Sequence, residues 1–332
     1  SLAEIQMTQN LQEIGYFAFG RCVSLEAIDI PDTLMRVSGS EFSGCESLKK
    51  VVLPDAFTYL HCTFEDCYSL EEAVLPATVE NMYNVFRNCR KISSVTIGEG
   101  NDTFYTDEIG IYERLADGIR LLYLFPGVPG ECRIDNVVTE IDYGAFSYTS
   151  YDQITIPGSV EELGEVFIEQ AGEETPSNPE GLDLVLESGV FRIGSHAFAV
   201  GNGSVKINSV TIPRSVAQID EKAFGEEPCD AEIFCYENSV AHRFAEANGM
   251  RFTLLEEVIG VKLDPHGGVL EQDSATVYVG SQVGALPQPE RSGWNFAGWY
   301  TEEGELVTEG TIASEDMDIL YAGWSQGQVL TG

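Results

Sequence analysis

Residues 41–97 read EFSGCESLKKVVLPDAFTYLHCTFEDCYSLEEAVLPATVENMYNVFRNCRKISSVTI. Within this stretch Phe42, Phe64 and Phe86 each stand three residues ahead of Cys45, Cys67 and Cys89. Phe19 and Cys22 repeat the pair one period earlier, so the thiols recur at spacings of 23, 22 and 22 residues. An apolar triplet follows each one: Leu25/Ile28/Ile30, Leu48/Val51/Leu53, Leu70/Ala73/Leu75 and Ile92/Val95/Ile97. The last two members of each triplet alternate with polar or solvent-facing positions, the spacing of a strand with one buried face. A single coil of this kind cannot bury its apolar side chains, whereas stacked copies can, so the period predicts a solenoid.

Working outward, the phase persists but loosens. Later pairs are Cys132/Ile134, Ile154/Ile156, Leu184/Leu186, Val210/Ile212 and Ile233/Cys235. Blocks ending Ala145-Phe146, Ala197-Phe198 and Ala223-Phe224 fall between them, each opened by an isoleucine four residues earlier. These blocks are expected to return the chain along the opposite side as short helical or 3₁₀ turns. A 20–29-residue period with such strands is the mark of a leucine-rich repeat with a parallel sheet, an α/β class. Blocks such as Ile212-Pro213-Arg214-Ser215-Val216-Ala217-Gln218-Ile219 with Ala223-Phe224 resemble the BspA-like leucine-rich repeats of bacterial surface proteins. The resemblance covers about residues 1–256. Within it, residues 101–131 resemble the hairpin-bearing insert of that family, and residues 170–181 form an acidic, proline-containing loop expected to be flexible. Residues 239–249 predict a closing helix, capped by Asn238 or Ser239, facing Val240/Phe244/Ala247 inward and stopped by Gly249. At the other end Leu2/Ile5/Met7 start in mid-repeat without a cap, which predicts natural sequence upstream.

All eight cysteines lie at or before Cys235 and all three tryptophans at or after Trp294, a segregation that predicts separate cores. Residues 257–326 carry short alternating segments bounded by Gly and Pro, among them Gly293-Trp294-Asn295-Phe296-Ala297-Gly298-Trp299-Tyr300-Thr301 and Leu320-Tyr321-Ala322-Gly323-Trp324. Such segments predict strands joined by tight turns. They are similar to the internalin B-repeat or Listeria–Bacteroides repeat family, which implies a small all-β or β-grasp-like module. Trp299 and Trp324 are expected in its core, with Trp294 the more exposed.

Charge excludes several roles. With 18 Lys+Arg against 54 Asp+Glu the net charge is −36, the opposite of a nucleic-acid footprint and unsuited to anionic lipid. No apolar run approaches the ~20 residues that span a bilayer, and the first ten residues lack a signal-peptide profile. Phosphate-cradling, metalloprotease and nucleophile-elbow motifs are absent. His61, His196, His242 and His266 share no ligand spacing, so no catalytic residue, metal or cofactor is expected. In-register thiols about 4.8 Å apart fit disulfide geometry poorly, since bonded Cβ atoms sit near 3.8 Å; a ladder of buried free thiols is expected instead.

The outward strand position runs Gln6, Asp29, Val52, Val74, Thr96, Arg133, Thr155, Val185, Thr211 and Phe234. This row, with Trp294, is the candidate binding surface, because solenoids present extended sheet faces to partners. Lys49-Lys50 beside Glu71-Glu72 predicts cross-coil ion pairs. The resemblances imply a bacterial cell-surface or secreted scaffold for adhesion or protein recognition, acting on an extracellular protein or host-surface ligand without catalysis. Two other roles are kept open: a spacer projecting another domain, and carbohydrate or mucin binding through Trp294 or Phe234.

Overall fold

The computed structural model describes residues 3–127, 129–167, 180–200, 205–226, 230–256, 258–279, 282–314 and 317–326. The expected loop at 170–181 lies almost wholly outside them, as do Leu2 and one of the eight cysteines, Cys229. The chain divides into two compact units, Ser1–Cys235 with Ser239–Thr253, and Tyr236–Asn238 with Leu254–Gly332.

The first unit is the solenoid. Each coil contributes one short front strand whose central residue points inward, as in Lys50–Val52, Glu72–Leu75 and Ser94–Ile97. These pair in parallel with Val51, Ala73 and Val95 in register. Glu4–Gln6 pairs with Ala27–Asp29 ahead of them. A six-stranded front sheet follows later, from Glu131–Arg133 through Gln153–Ile156, Leu182–Leu186, Ile207–Thr211 and Glu232–Tyr236 to Phe252–Leu255. The return side carries its own short strands: Tyr59–His61 beside Asn81–Tyr83, and Glu162–Leu163, Arg192–Ile193 and Gln218–Ile219 in a second group.

Between front and return strands lies the Phe-x-x-Cys block. It forms tight turns rather than helices, with Cys45 N–H donating to Phe42 O at 3.0 Å and Leu48 N–H to Cys45 O at 3.1 Å. The residue before each Cys has a positive φ: Arg21 58°, Gly44 76°, Asp66 62° and Asn88 65°. Gly, Asn and Asp suit that conformation. Phe19, Phe42, Phe64 and Phe86 stack ring on ring at 5.5, 5.8 and 5.8 Å, within 15° of parallel.

The thiols follow the same ladder. Cys45, Cys67 and Cys89 are buried and free, and each Sγ donates to a phenylalanine carbonyl of the preceding coil, at 3.2, 3.2 and 3.0 Å. Burial raises all three pKa values, that of Cys45 to about 12, while the thiol–carbonyl bond leaves no polar atom stranded. Cys132 and Cys235 are buried strand residues, and Cys62 is half-exposed.

The insert forms an antiparallel hairpin, Gly110–Leu115 with Gly118–Leu124, flanked by Phe104–Thr106. Its second strand pairs in parallel with Val138–Ile141, so the hairpin joins the later coils. Tyr123 from this strand follows Phe86 in the aromatic column at 6.2 Å but tilted by 57°. At the far end the helix Val240–Asn248 is capped by the Ser239 side chain and stopped by Gly249 at φ 63°. Ala241 and Ala245 form its buried face with Phe244 half-buried; Ala247 is exposed, so the inward face is turned from the expected Val240/Phe244/Ala247 line.

The second unit holds a five-stranded mixed sheet ordered Ser274–Tyr278, Val258–Asp264, Ile319–Gln326, Trp294–Tyr300 and Leu306–Val307. Val258–Asp264 and Ile319–Gln326 run parallel; the other pairs are antiparallel. Val261, Leu263, Val277, Trp299 and Leu320 fill its core, and the described residues of this unit carry no helix.

Candidate functional site

The outward front row is not one continuous face. Thr96 and Arg133 sit in different sheets, because the insert intervenes between their strands. Val52 is 53 % exposed, and Gln6, Asp29, Thr96 and Arg133 are exposed as well. Val74, Val185, Thr211 and Phe234 are half-buried. Thr155, expected to face outward, is 7 % exposed. Arg133 pairs with Thr155 in register, and its guanidinium continues to Glu187 of the following coil at 2.5 Å, roofing the intervening rung. Lys50 meets Glu72 at 2.7 Å as expected of a cross-coil pair, whereas Lys49 turns the other way, to Glu26 at 3.2 Å. Both pairs stand in solvent and contribute little.

A different feature emerges on the return side. Asn81–Tyr83 ends its two-stranded ladder, since the next return strand, Gly118–Leu124, pairs with Val138–Ile141 and with its own hairpin partner. The ladder is therefore broken between Asn81–Tyr83 and the hairpin. A small cleft of ≈ 50 Å³ opens at this seam. Met82, Phe86, Ile111, Leu122 and Tyr123 supply its apolar lining; Asn84, Arg87, Asp142 and Tyr143 supply the polar groups.

Exposed rings flank the cleft. Tyr83, between two lining residues, is 57 % exposed and Tyr59 61 %. They share the outward face of paired strands with His61, whose ring stacks on Tyr83 at 5.2 Å. Tyr143 stands exposed on the other side. A wet rim of tyrosines around a small apolar recess is the constellation in which interface energy concentrates.

The polar groups here serve structure more than chemistry. Arg87 pairs with Glu65 at 3.3 Å. Asp142 is an exposed residue, yet the protein around its carboxyl desolvates it and raises its pKa, against a backbone hydrogen bond at Tyr143 and the charge of Arg120. Asn88 donates to Asp66 and accepts from the Tyr148 hydroxyl, a chain that ties a coil before the insert to one after it. The buried Glu41 carboxylate accepts N–H bonds from Ser38 and Gly39, holding its own turn. Among the described residues no group of three or more His, Cys, Asp or Glu is placed to hold a metal ion, and no helix is long and apolar enough to cross a membrane.

The front row expected to bind and the seam lie on different sides of the coil. The seam's signal in the sequence was the run of aromatics at return positions that should be polar: Tyr59, Tyr83 and Tyr143. In the second unit Trp299 is buried, Trp324 half-buried and Trp294 39 % exposed.

Stacked coils, a parallel front sheet and in-register thiols define a leucine-rich repeat solenoid. The chain belongs to the BspA-type leucine-rich repeat family, whose model matches in six copies over residues 1–108, 130–175 and 177–243. Residues 261–322 match the Listeria-Bacteroides repeat domain. Among solved structures, a leucine-rich cell surface protein from Faecalibacterium prausnitzii A2-165 is similar at 20 % identity, covering 68 % of this chain and 76 % of that one with a TM-score of 0.40. The pneumococcal vaccine antigen PcpA is similar at 16 % identity, covering 74 % and 72 % with a TM-score of 0.46. A leucine-rich repeat protein from Eubacterium ventriosum ATCC 27560 is similar at 13 % identity, covering 68 % and 84 % with a TM-score of 0.39. No curated protein matches the chain.

Proposed function

We propose that this chain is a non-enzymatic recognition scaffold of the bacterial cell surface, and that the broken return face is where its solenoid holds an extracellular protein. Membership of the BspA-type family supports the scaffold role and the location. The observation that carries the site is the juxtaposition of an apolar recess with exposed Tyr59, Tyr83 and Tyr143 where the ladder stops. Phe86 and Tyr123, where the aromatic column changes from stacked to tilted rings, line the recess. We further take residues 1–256 and 257–326 as the two functional modules.

The test is surface plasmon resonance against a panel of extracellular-matrix and host-surface proteins. Replacing Tyr83 and Tyr143 by Ala together should weaken any specific complex by about 2 kcal/mol or more, roughly 30-fold, chiefly by faster dissociation. Val52→Ala with Phe234→Ala should leave it within twofold. The reverse result, or a complex indifferent to both variants, overturns the assignment.

A further inference from the structure

The second unit presents a separate constellation. Arg291 lies with its guanidinium 4.7 Å from the ring centre of Trp294 and 5.9 Å from that of Trp324. Among the described residues the guanidinium makes one hydrogen bond, a long one, Nη1 to His266 O at 3.3 Å. In a chain with 54 acids and 18 bases, Arg114 and Arg251 bond backbone carbonyls, whereas Arg36, Lys49, Lys50, Arg87, Arg120, Arg133 and Arg192 each have a carboxylate partner. Among the described residues Arg291 has none. Stacking occupies the faces of a guanidinium and leaves its in-plane N–H groups, the fork that matches a carboxylate, unspent.

The surroundings fix what such a carboxylate could be attached to. Trp294 stands directly opposite Gln326 across the antiparallel pair, so the indole and the amide share one face. Both residues are exposed. The next pair on that face is Phe296 opposite Trp324, whose indole N–H donates to Pro265 O at 3.1 Å and is thereby fixed. Gly267 lies against the guanidinium: a Cβ built there would meet Arg291 Cζ at 3.6 Å, and its φ of 85° also favours glycine. The arrangement offers a ring edge and face for C–H surface, an amide for hydroxyls and a guanidinium for an acid group. That set of complements belongs to a sugar ring bearing a carboxylate.

We propose that Arg291, Trp294 and Gln326 form a subsite for an acidic sugar, a hexuronic or sialic acid residue of a glycan. This site is independent of the solenoid seam, and its failure would leave the seam untouched. Because Trp294, Trp299 and Trp324 are the only tryptophans, intrinsic tryptophan fluorescence of the full chain reports on this unit alone. Titration with N-acetylneuraminic acid and with D-glucuronic acid should give a saturable change for at least one of them, in the millimolar range expected of a single shallow sugar contact. Methyl glucuronate, D-glucose, inorganic phosphate and a glutamate-rich peptide should each respond at least tenfold more weakly. Arg291→Met keeps the aliphatic packing and should abolish the response with the melting temperature unchanged. Gln326→Ala, at an exposed strand end, should weaken it several-fold and serves if the first variant is unfolded. No saturable response to either acid, a response to the ester, glucose, phosphate or peptide equal to that of the acids, or a folded Arg291→Met chain that still responds would each overturn the proposal.

Discussion

The coils before the insert and those after it solve the same packing problem differently. From Phe19 to Phe86 the rings stack face to face within 15° of parallel, and each thiol bonds the coil behind it. After the insert, Phe146 and Phe167 meet edge to face at 5.9 Å, and Phe198 and Phe224 are inclined by 45° at 5.0 Å. A constant period gives every rung the same neighbour, so identical side chains repeat one contact. Unequal coil lengths remove that identity, and the later rungs fill space with alanine, valine and tilted rings. The surface follows the core: where the regular stack gives way, at Tyr123, the return ladder opens and aromatic side chains gather on the outside.

Several measurements would break or sharpen this contrast. The largest effect should come from Phe64→Ala, which removes a fully buried ring touching two others. Urea unfolding should show a loss of about 3–5 kcal/mol. A double-mutant cycle on Phe42 and Phe64 should add coupling of about 0.5–1.5 kcal/mol, and the same cycle on Phe198 and Phe224 less; equal coupling would erase the distinction.

Alkali comes next. The folded state raises the pKa of Cys45 from 9.0 to about 12, through burial first and the neighbouring Cys22 second. Below pH 9.0 the thiol is neutral folded and unfolded alike. Above it the unfolded chain ionises first, so the contribution to stability is lost as pH rises through 9.0 towards 12. Denaturation midpoints should fall across that window, and Cys45→Ala should flatten the fall. Under native conditions iodoacetamide should label the half-exposed Cys62 well before Cys45, Cys67 or Cys89; uniform labelling would contradict the thiol ladder.

Smaller effects are expected outside. Tyr59→Ala and Tyr83→Ala should change stability by no more than about 0.5 kcal/mol, as surface substitutions do, while acting on binding. Lys50→Ala breaks an exposed pair with Glu72 and should cost about 0–1 kcal/mol, less still in high salt.

Much of this architecture was legible in the sequence because it is periodic. Phe42, Phe64 and Phe86 announce their stack by spacing alone, and the free thiols follow from the distance between coils. Ser239 and Gly249 likewise mark the closing helix by local capping chemistry. The seam was not legible, because it depends on which strand the insert chooses: Leu121 pairs with Ile141 and not with the Asn81–Tyr83 edge. No repeat spacing encodes that choice. Nor could the outward row foresee Thr155 beneath the Arg133–Glu187 bridge, since long side chains reach past the rung that carries them.

The claim that the return ladder breaks between Asn81–Tyr83 and the hairpin is tested most directly by native-state hydrogen exchange resolved to single amides. The strands Glu72–Leu75 and Gln153–Ile156, each paired on both sides, should exchange only with global unfolding. Amides of Asn81–Tyr83 should exchange by local opening at far lower free energy. Uniform protection from Tyr59 through Ile141 would mean that the ladder is continuous, and the proposed recognition site would lose its physical basis.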